Sequence, residues 1–455
     1  MKVAKFGGSS VANAVQIRKV ADIIQSDENR KFIVVSAPGK RNKEDVKVTD
    51  LLITLGKAYI NGEEYEQPLL EVEARFKEIV TDLELSADLL DEISEKIKMV
   101  LRASLSDAMK MDAIKAIGED SSAKIVSAYL NKQGTKAYYI NPKTAGIIVS
   151  DEPGNAQILP ESYEKIYQLR NREGVLVIPG FFGYTKTGEL ATFSRGGSDI
   201  TGAIIAAGVK AELYENFTDV DSVYTVNPTI VENPKEITTL TFKEMRELSY
   251  AGFSVFHDEA LIPAFQENIP VCIKNTNNPT ARGTFIVPEK EVNKEECVSG
   301  IASDTGFCSL YVSKFLMNRE IGFGRKLLQI LEDEGVSFEH APSGIDDMSV
   351  IIRESNLTPE KEKNIIHRIK HELHADTVTM LRDLAVIMVV GEGLENTIGV
   401  AQKATNAFAE AGVNILMINQ GSSEVSMMFG VKAEDMEKAI RSLYKAFFEP
   451  TKVNV

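Results

Sequence analysis

A chain of 455 residues with 44% hydrophobic and 26% charged residues has the make-up of a globular protein of about three domains, not of a disordered or fibrous one. A net charge of −15 disfavours general binding to nucleic acid or anionic membranes, which both reward an excess of Lys and Arg. No apolar run approaches the roughly 20 residues that span a bilayer, and the opening MKVAKF carries no signal-peptide pattern.

In chain order, Val3–Phe6 reads as a strand, Gly7-Gly8-Ser9-Ser10 as a turn and Val11–Gln25 as a helix, followed by an apolar strand at Phe32–Ser36. From Leu51 to about Ile117 the chain is rich in Leu, Glu and Lys with few breakers, which predicts helix. Strands return at Ala137–Ile140, Val175–Ile178 and Leu213–Asn216 with helices between them, a rhythm that predicts an α/β fold with a largely parallel sheet. The polar run from Pro288 to Glu296 is the candidate linker. Beyond it the pattern changes. Strands are predicted at Phe307–Val312, Val336–His340 and Met348–Ile352, with helices at Gly322–Glu334 and Pro359–His374. The pattern recurs with strands at Leu384–Val390, Val413–Asn419 and Val425–Val431, and helices at Ile398–Ala411 and Glu434–Phe447. Matching helix exits, Glu334-Gly335-Val336-Ser337 and Ala411-Gly412-Val413-Asn414, support a tandem repeat of βαββα units of about 70 residues. Cys272, Cys297 and Cys308 form no CxxC, so free thiols in a reducing cytoplasm are expected.

Three motifs carry chemistry. In Lys5-Phe6-Gly7-Gly8-Ser9-Ser10 a lysine closes a strand just before two glycines and a helix start. Glycine lets backbone N–H groups approach phosphate oxygens, and a lysine there neutralises charge on a transferring phosphoryl. It is not a P-loop, whose lysine follows its glycines. Phe193-Ser194-Arg195-Gly196-Gly197-Ser198-Asp199 sets an arginine beside Gly-Gly at a helix start, a setting suited to a carboxylate. Phe217-Thr218-Asp219-Val220-Asp221-Ser222-Val223-Tyr224 follows a strand, where open α/β sheets bind ligands. Singly, each also reads as a turn or a cap. His367, His371 and His374 share a helix face at metal-compatible spacing, but without a carboxylate motif they read as a solvated face. Gly391-Glu392-Gly393 lacks the third glycine of a dinucleotide fingerprint.

Together, and in this order, the three motifs resemble the aspartate kinase family, from Lys5 to about Phe447. The resemblance implies an amino-acid-kinase fold, a mostly parallel sheet with helices on both faces, over residues 1–290. It implies tandem ACT regulatory units over 300–383 and 384–455, separate or interleaved. The implied reaction transfers the γ-phosphoryl of ATP to the side-chain carboxylate of aspartate, giving 4-phospho-L-aspartate at the head of lysine, threonine and methionine synthesis. Carried over by position, Lys5 meets the nucleotide's phosphates with Gly7, Gly8 and Ser9, and Asp199 holds Lys5. Thr49, Glu119, Phe181, Arg195 and Ser198 form the aspartate pocket; a guanidinium suits the α-carboxylate and Glu119 the ammonium. Thr218, Asp219 and Tyr224 bind the nucleoside. No general base is needed, because the attacking carboxylate is ionised at neutral pH. No protein metal site is implied, and Mg²⁺ is expected to be held mainly by the nucleotide's phosphates.

The chain departs from the family where members carry Asp-Pro-Arg and GAKVLHP segments. Here Asn227-Pro228-Thr229 and Gly252-Phe253-Ser254-Val255-Phe256-His257-Asp258 lack the cations, and Lys274 is the candidate replacement. A glutamate or acetylglutamate kinase of the same fold, and a catalytically silent amino-acid sensor, are the rival readings. By resemblance to lysine-sensitive members, Met317, Glu320, Phe323, Gly324, Phe338, Glu339 and Asp346 form an effector site for lysine, alone or with threonine. The plain alternative makes Phe323 and Phe338 core residues and the acids a solvated rim. ACT units in the family pair between subunits, so a homodimer or a dimer of dimers is expected, with no homoserine dehydrogenase part.

Overall fold

Val3, Ala4 and Phe6 are wholly buried, as a strand covered on both faces requires. This strand, β1 (Lys2–Phe6), lies inside an eight-stranded sheet. Its companions in chain order are β2 (Arg30–Val35), β3 (Ala137–Tyr139), β4 (Val175–Pro179), β5 (Leu213–Thr218), β6 (Thr239–Thr241), β7 (Val271–Asn275) and β8 (Thr284–Val287). The spatial order is β6-β8-β7-β5-β1-β2-β4-β3, parallel throughout except for the β7–β8 pair. Because β1 pairs with β2 on one side and β5 on the other, the carboxyl ends of β5, β1, β2 and β4 open side by side, where such sheets bind ligands.

The computed structural model describes residues 1–194, 196–253, 260–291, 296–421 and 425–449. The chain divides into two units: Met1–Val223 with Glu236–Arg246 and Ser254–Lys290, and Tyr224–Lys235 with Glu247–Phe253 and Glu291–Val455. In the first, the predicted helical stretch is four helices: Val48–Asn61, Glu66–Asp82, Asp88–Arg102 and Asp107–Lys132. Gly62, left-handed at φ 71°, ends the first of them, and Ser106 caps the last by accepting from the N–H of Met109. Leu52, Leu55, Val72, Phe76, Ile93, Ile97, Ile114 and Ile117 from all four join one core with Phe6, Ile33 and Val35. The predicted helix at Val11 begins later, at Ala14, because Gly8–Val11 is a 3₁₀ turn and the side chain of Asn13 caps the helix.

The second unit holds an antiparallel sheet of five strands: β9 (Gly300–Ser313), β10 (Asp347–Arg353), β11 (Thr377–Val390), β12 (Met417–Asn419) and β13 (Ser426–Lys432), ordered β10-β9-β11-β13-β12. β9 and β11 are each 14 residues long and pair with each other, so the two predicted repeats interleave in one sheet. Two predicted strands shrink. Val336–His340 forms none, since only His340 bridges to Ile351, and Val413–Asn419 reduces to β12. Helices Phe323–Asp333 and Pro359–Glu372 pack over one apolar cluster, and Val400–Glu410 and Met436–Phe448 over another.

The predicted boundary at residue 290 divides the sequence more cleanly than the packing. Val226 and Ile230 are buried in the second unit's core, the N–H of Ile301 donates to Thr225 O (2.7 Å), and the N–H of Lys235 donates to Tyr444 Oη (3.1 Å). His367 and His371 are exposed on helix Pro359–Glu372, whereas His374, also exposed, lies beyond the helix end and so shares no helix face with them. Among the described residues no group of three or more His, Cys, Asp or Glu side chains is gathered to hold a metal.

Candidate active site

β1 ends on Phe6, whose ring stacks on Phe217 of β5 at 4.8 Å, and the chain turns through Gly7. The N–H of Gly7 donates to Phe217 O (3.0 Å), and the N–H of Gly39, from the loop after β2, donates to Gly8 O (2.8 Å). Gly39 lies so close to this turn that a Cβ there would stand 2.6 Å from the carbonyl carbon of Gly8. Lys5 is 6% exposed, and its Nζ lies over Gly7, 3.5 Å from where a Cβ would be. That ammonium pairs with Asp199 Oδ1 at 2.6 Å. Asn216 Nδ2 donates to the same oxygen (2.5 Å), and Tyr214 Oη donates to the Asp199 carbonyl (3.2 Å). Asp199 sits in the first turn of helix Gly197–Val209, whose N-cap Gly196 is left-handed at φ 74°. A fixed, buried ammonium over a glycine turn is suited to phosphate oxygens.

Glu119 lies in helix Asp107–Lys132 beside the loop after β2; a Cβ on Gly118 would stand 2.6 Å from the Cβ of Ala37. Burial pushes its carboxyl up to about 8, against the opposing pull of the Ala37 N–H, its own N–H and Lys115. Its Oε2 has no partner among the described residues. A buried polar atom left unmatched is costly, so one aimed into a site points to a missing donor. Lys115, one turn earlier, pairs with Asp112 (2.7 Å) and lies 5.7 Å from the ring centroid of Phe181. Phe181 follows β4 and holds φ 78°, a conformation rare outside glycine. Its N–H donates to Thr201 Oγ1 (2.9 Å), which donates to Gly197 O (2.8 Å). Ser198 is buried, and its Oγ would stand 2.6 Å from a Cβ on Gly180. Thr49 opens helix Val48–Asn61, whose Val48 N–H donates to Pro38 O (3.0 Å).

Lys5, Gly7, Gly8, Ser9, Thr49, Glu119, Phe181, Ser198 and Asp199 thus gather at the carboxyl ends of β1, β2 and β4. Arg195 lies outside the described residues. Thr218 ends β5 and donates its Oγ1 to Asp219 Oδ1 (3.0 Å); Asn275 Nδ2 donates to the Asp219 carbonyl (3.3 Å) and to Asp221 Oδ1 (2.8 Å). Tyr224 belongs to the second unit. Lys274 stands opposite Phe217 in the β5–β7 register, with β5 between its strand and β1, which leads into the glycine turn. Ser254 lies outside the described residues, and Thr229 donates its N–H and Oγ1 to Asn227 Oδ1 (3.0 and 2.9 Å). The sequence reading missed Asn216, Gly39 and Lys115. A buried Glu-Asn pair inside a strand, and a Pro-Gly in the loop after β2, were the available signals for the first two.

In the second unit, Met317 and Phe323 are buried in the core, so for Phe323 the plain alternative describes its packing; Phe338 is 44% exposed. Glu320 lies between Lys314 (2.5 Å) and Lys326 (2.9 Å), and hydrogen bonds from both hold its carboxyl down to about 2. Asp346 Oδ1 accepts the Leu316 N–H (2.8 Å), and a Cβ on Gly324 would meet Met348 Sδ at 3.7 Å. Glu339 accepts from Tyr250 Oη and lies 3.5 Å from Arg353 Nε.

Residues 1–275 match the Amino acid kinase family, and residues 387–447 match an ACT domain. Over 449 residues the chain is 56% identical to Aspartokinase 3 of Bacillus subtilis, covering 98% of this chain and 99% of that one. The chain belongs to the aspartokinase family. The aspartate kinase of Clostridium acetobutylicum, solved by crystallography, shares the fold with a TM-score of 0.87 at 42% identity, covering 98% of this chain and 100% of that one. Aspartokinase III of E. coli shares it at 24% identity in two solved forms. One is in complex with aspartate and ADP (R-state; TM-score 0.80), the other with lysine and aspartate (T-state; 0.76), and each covers 99% of this chain and 100% of that one. The family's reaction is the ATP-dependent phosphorylation of aspartate on its side-chain carboxylate, a step in amino-acid biosynthesis, and the rival readings give way to it.

Proposed function

We propose that Lys5, held by Asp199 and Asn216, meets the β- and γ-phosphates of ATP over Gly7, Gly8 and Ser9. Aspartate is then held by Glu119 at its ammonium and by Arg195 and Ser198 at its α-carboxylate, beside Thr49 and Phe181. The observation that carries this reading is the unmatched, buried Oε2 of Glu119 in the same framework as the Lys5–Asp199 pair. An entering ammonium supplies the missing donor and restores the carboxylate charge that burial suppresses.

The chemistry that follows needs no proton transfer. An oxygen of the aspartate side chain attacks the γ-phosphorus, the bond from that phosphorus to the bridging oxygen breaks, and ADP leaves with the electron pair. Lys5 stabilises negative charge on the transferring group, and Asp199 with Asn216 keeps its ammonium in place. The donor set fits a divalent cation borne by the nucleotide's phosphates rather than by a protein cage, and such an ion, Mg²⁺, would neutralise phosphate charge. Thr218, Asp219 and Tyr224 are assigned to the nucleoside, and Lys274 is assigned the role of the cation that relatives carry where this chain has Thr229 and Ser254. The second unit is read as a sensor for lysine, alone or with threonine, that pairs copies of a cytoplasmic enzyme into a homodimer or a dimer of dimers.

The test is ATP-dependent acyl phosphate formation, trapped with hydroxylamine, on aspartate, glutamate and acetylglutamate. Turnover of aspartate alone is expected in the parent, with Glu119→Gln losing it through a raised aspartate KM. Normal aspartate kinetics in Glu119→Gln would overturn the ammonium assignment.

A further inference from the structure

Helix Glu66–Asp82 carries none of the motifs, yet one of its side chains reaches the site's framework from behind. Arg75 is 5% exposed. Its Nη2 donates to the carbonyls of Gly39 (3.0 Å) and Ala12 (3.4 Å), and its Nη1 donates to the carbonyl of Val46 (2.9 Å) and to Asp45 Oδ2 (2.9 Å). All four acceptors lie in the two segments that leave the carboxyl ends of β1 and β2. A lysine cannot reproduce four bonds spread over a planar fork.

The loop after β2 touches three groups already assigned to substrates. Gly39 bonds Gly8, the Ala37 N–H reaches the carboxyl of Glu119, and the Pro38 carbonyl receives the N–H that starts the Thr49 helix. We propose that Arg75 is a positioning residue: its guanidinium locks this loop to the Gly7–Ala12 segment and so sets the phosphate turn and the ammonium site in one register. It touches neither substrate. The proposal rests on the assignment of Gly8, Thr49 and Glu119 given above.

The experiment uses full-length Arg75→Ala and Arg75→Lys, assayed at a temperature where circular dichroism shows each folded. In Arg75→Ala, kcat is expected to fall at least about thirtyfold and the aspartate KM to rise, since a displacement of about 1 Å can cost a hundredfold. Added ethylguanidinium should restore the rate at least about fivefold, and methylammonium should not, because only the fork matches the acceptors. Arg75→Lys keeps a charge beside Asp45, so it tests the idea should the alanine variant fail to fold; its kcat is also expected to fall. A folded variant with kcat and both KM values within about twofold of the parent overturns the proposal, whatever its melting temperature. If that happens while Glu119→Gln still loses aspartate, only the Arg75 proposal fails. Normal kinetics in Glu119→Gln would instead remove the reading beneath it.

Discussion

Burial that pushes the Glu119 carboxyl up to about 8 places its titration close to neutral pH. Below that value the empty site holds a neutral acid, which does not attract an ammonium, so kcat/KM for aspartate is expected to rise with pH until about 8 and then level off. The slope should vanish in Glu119→Gln. The same shift has a sign for stability. An unfolded Glu releases its proton near 4.3, whereas the folded one keeps it to about 8. The folded state therefore holds more protons across that window, and stability falls as pH rises through it, by up to about 1.4 kcal/mol per unit from this group. Thermal melts without substrate should show Glu119→Gln gaining on the parent at pH 8 more than at pH 5.5. Lys5→Met keeps the stem and removes the charge, so it should fold while kcat falls far more than aspartate affinity; unchanged turnover would move the charge neutralisation elsewhere. At this scale the motifs held Lys5, Ser198 and Asp199, because their chemistry is local, whereas Glu119 and Phe181 came only with the family resemblance. Asn216 and Arg75 escaped, because what they do depends on partners that only folding brings near.

Helix Gly197–Val209 shows how an element carries the site. Most of its residues are small, and a reason appears at Gly202, where a Cβ would stand 2.3 Å from Tyr214 Oη. Tyr214 is fully buried and bonds the Asp199 carbonyl, so the helix cannot back away without moving the Lys5 partner. Gly202→Ala is expected to cost about 1–3 kcal/mol by overpacking, read as a lower urea midpoint with an unchanged slope, and to lower kcat as well. A stable variant of normal activity would mean that the tyrosine moves freely. The parallel sheet was legible because its strands are short apolar runs between helical stretches. The strand expected at Val336–His340 was not, because the well-buried Val336 mimics a strand's apolar signal while only the end of the stretch, at Glu339 and His340, pairs with Ile351.

Across the whole molecule, the interleaved sheet of the second unit joins both repeats through β9 and β11. Exposed Phe315, Ile321 and Ile345 in that unit support pairing between copies, and light scattering of the intact protein at micromolar concentration should find a dimer or larger; a monomer with and without amino acids would contradict it. Calorimetry is expected to detect lysine binding, and Glu339→Ala should raise the lysine needed for half inhibition at least about tenfold, within the usual range of coupling energies. No lysine binding, with or without threonine, would end that assignment and leave the kinase untouched. The repeat was legible in the matched helix exits, whereas the excursion of Val226 and Ile230 into the other core was not, since a short apolar loop does not say which core it will join. That excursion limits how the chain can be shortened. A chain cut after Lys290 would strip Val226 and Ile230 of their cover and leave them facing water, so the shortened enzyme should precipitate rather than run unregulated. Any change in how the second unit answers amino acids would then have to be made by point substitutions in a chain that keeps both units.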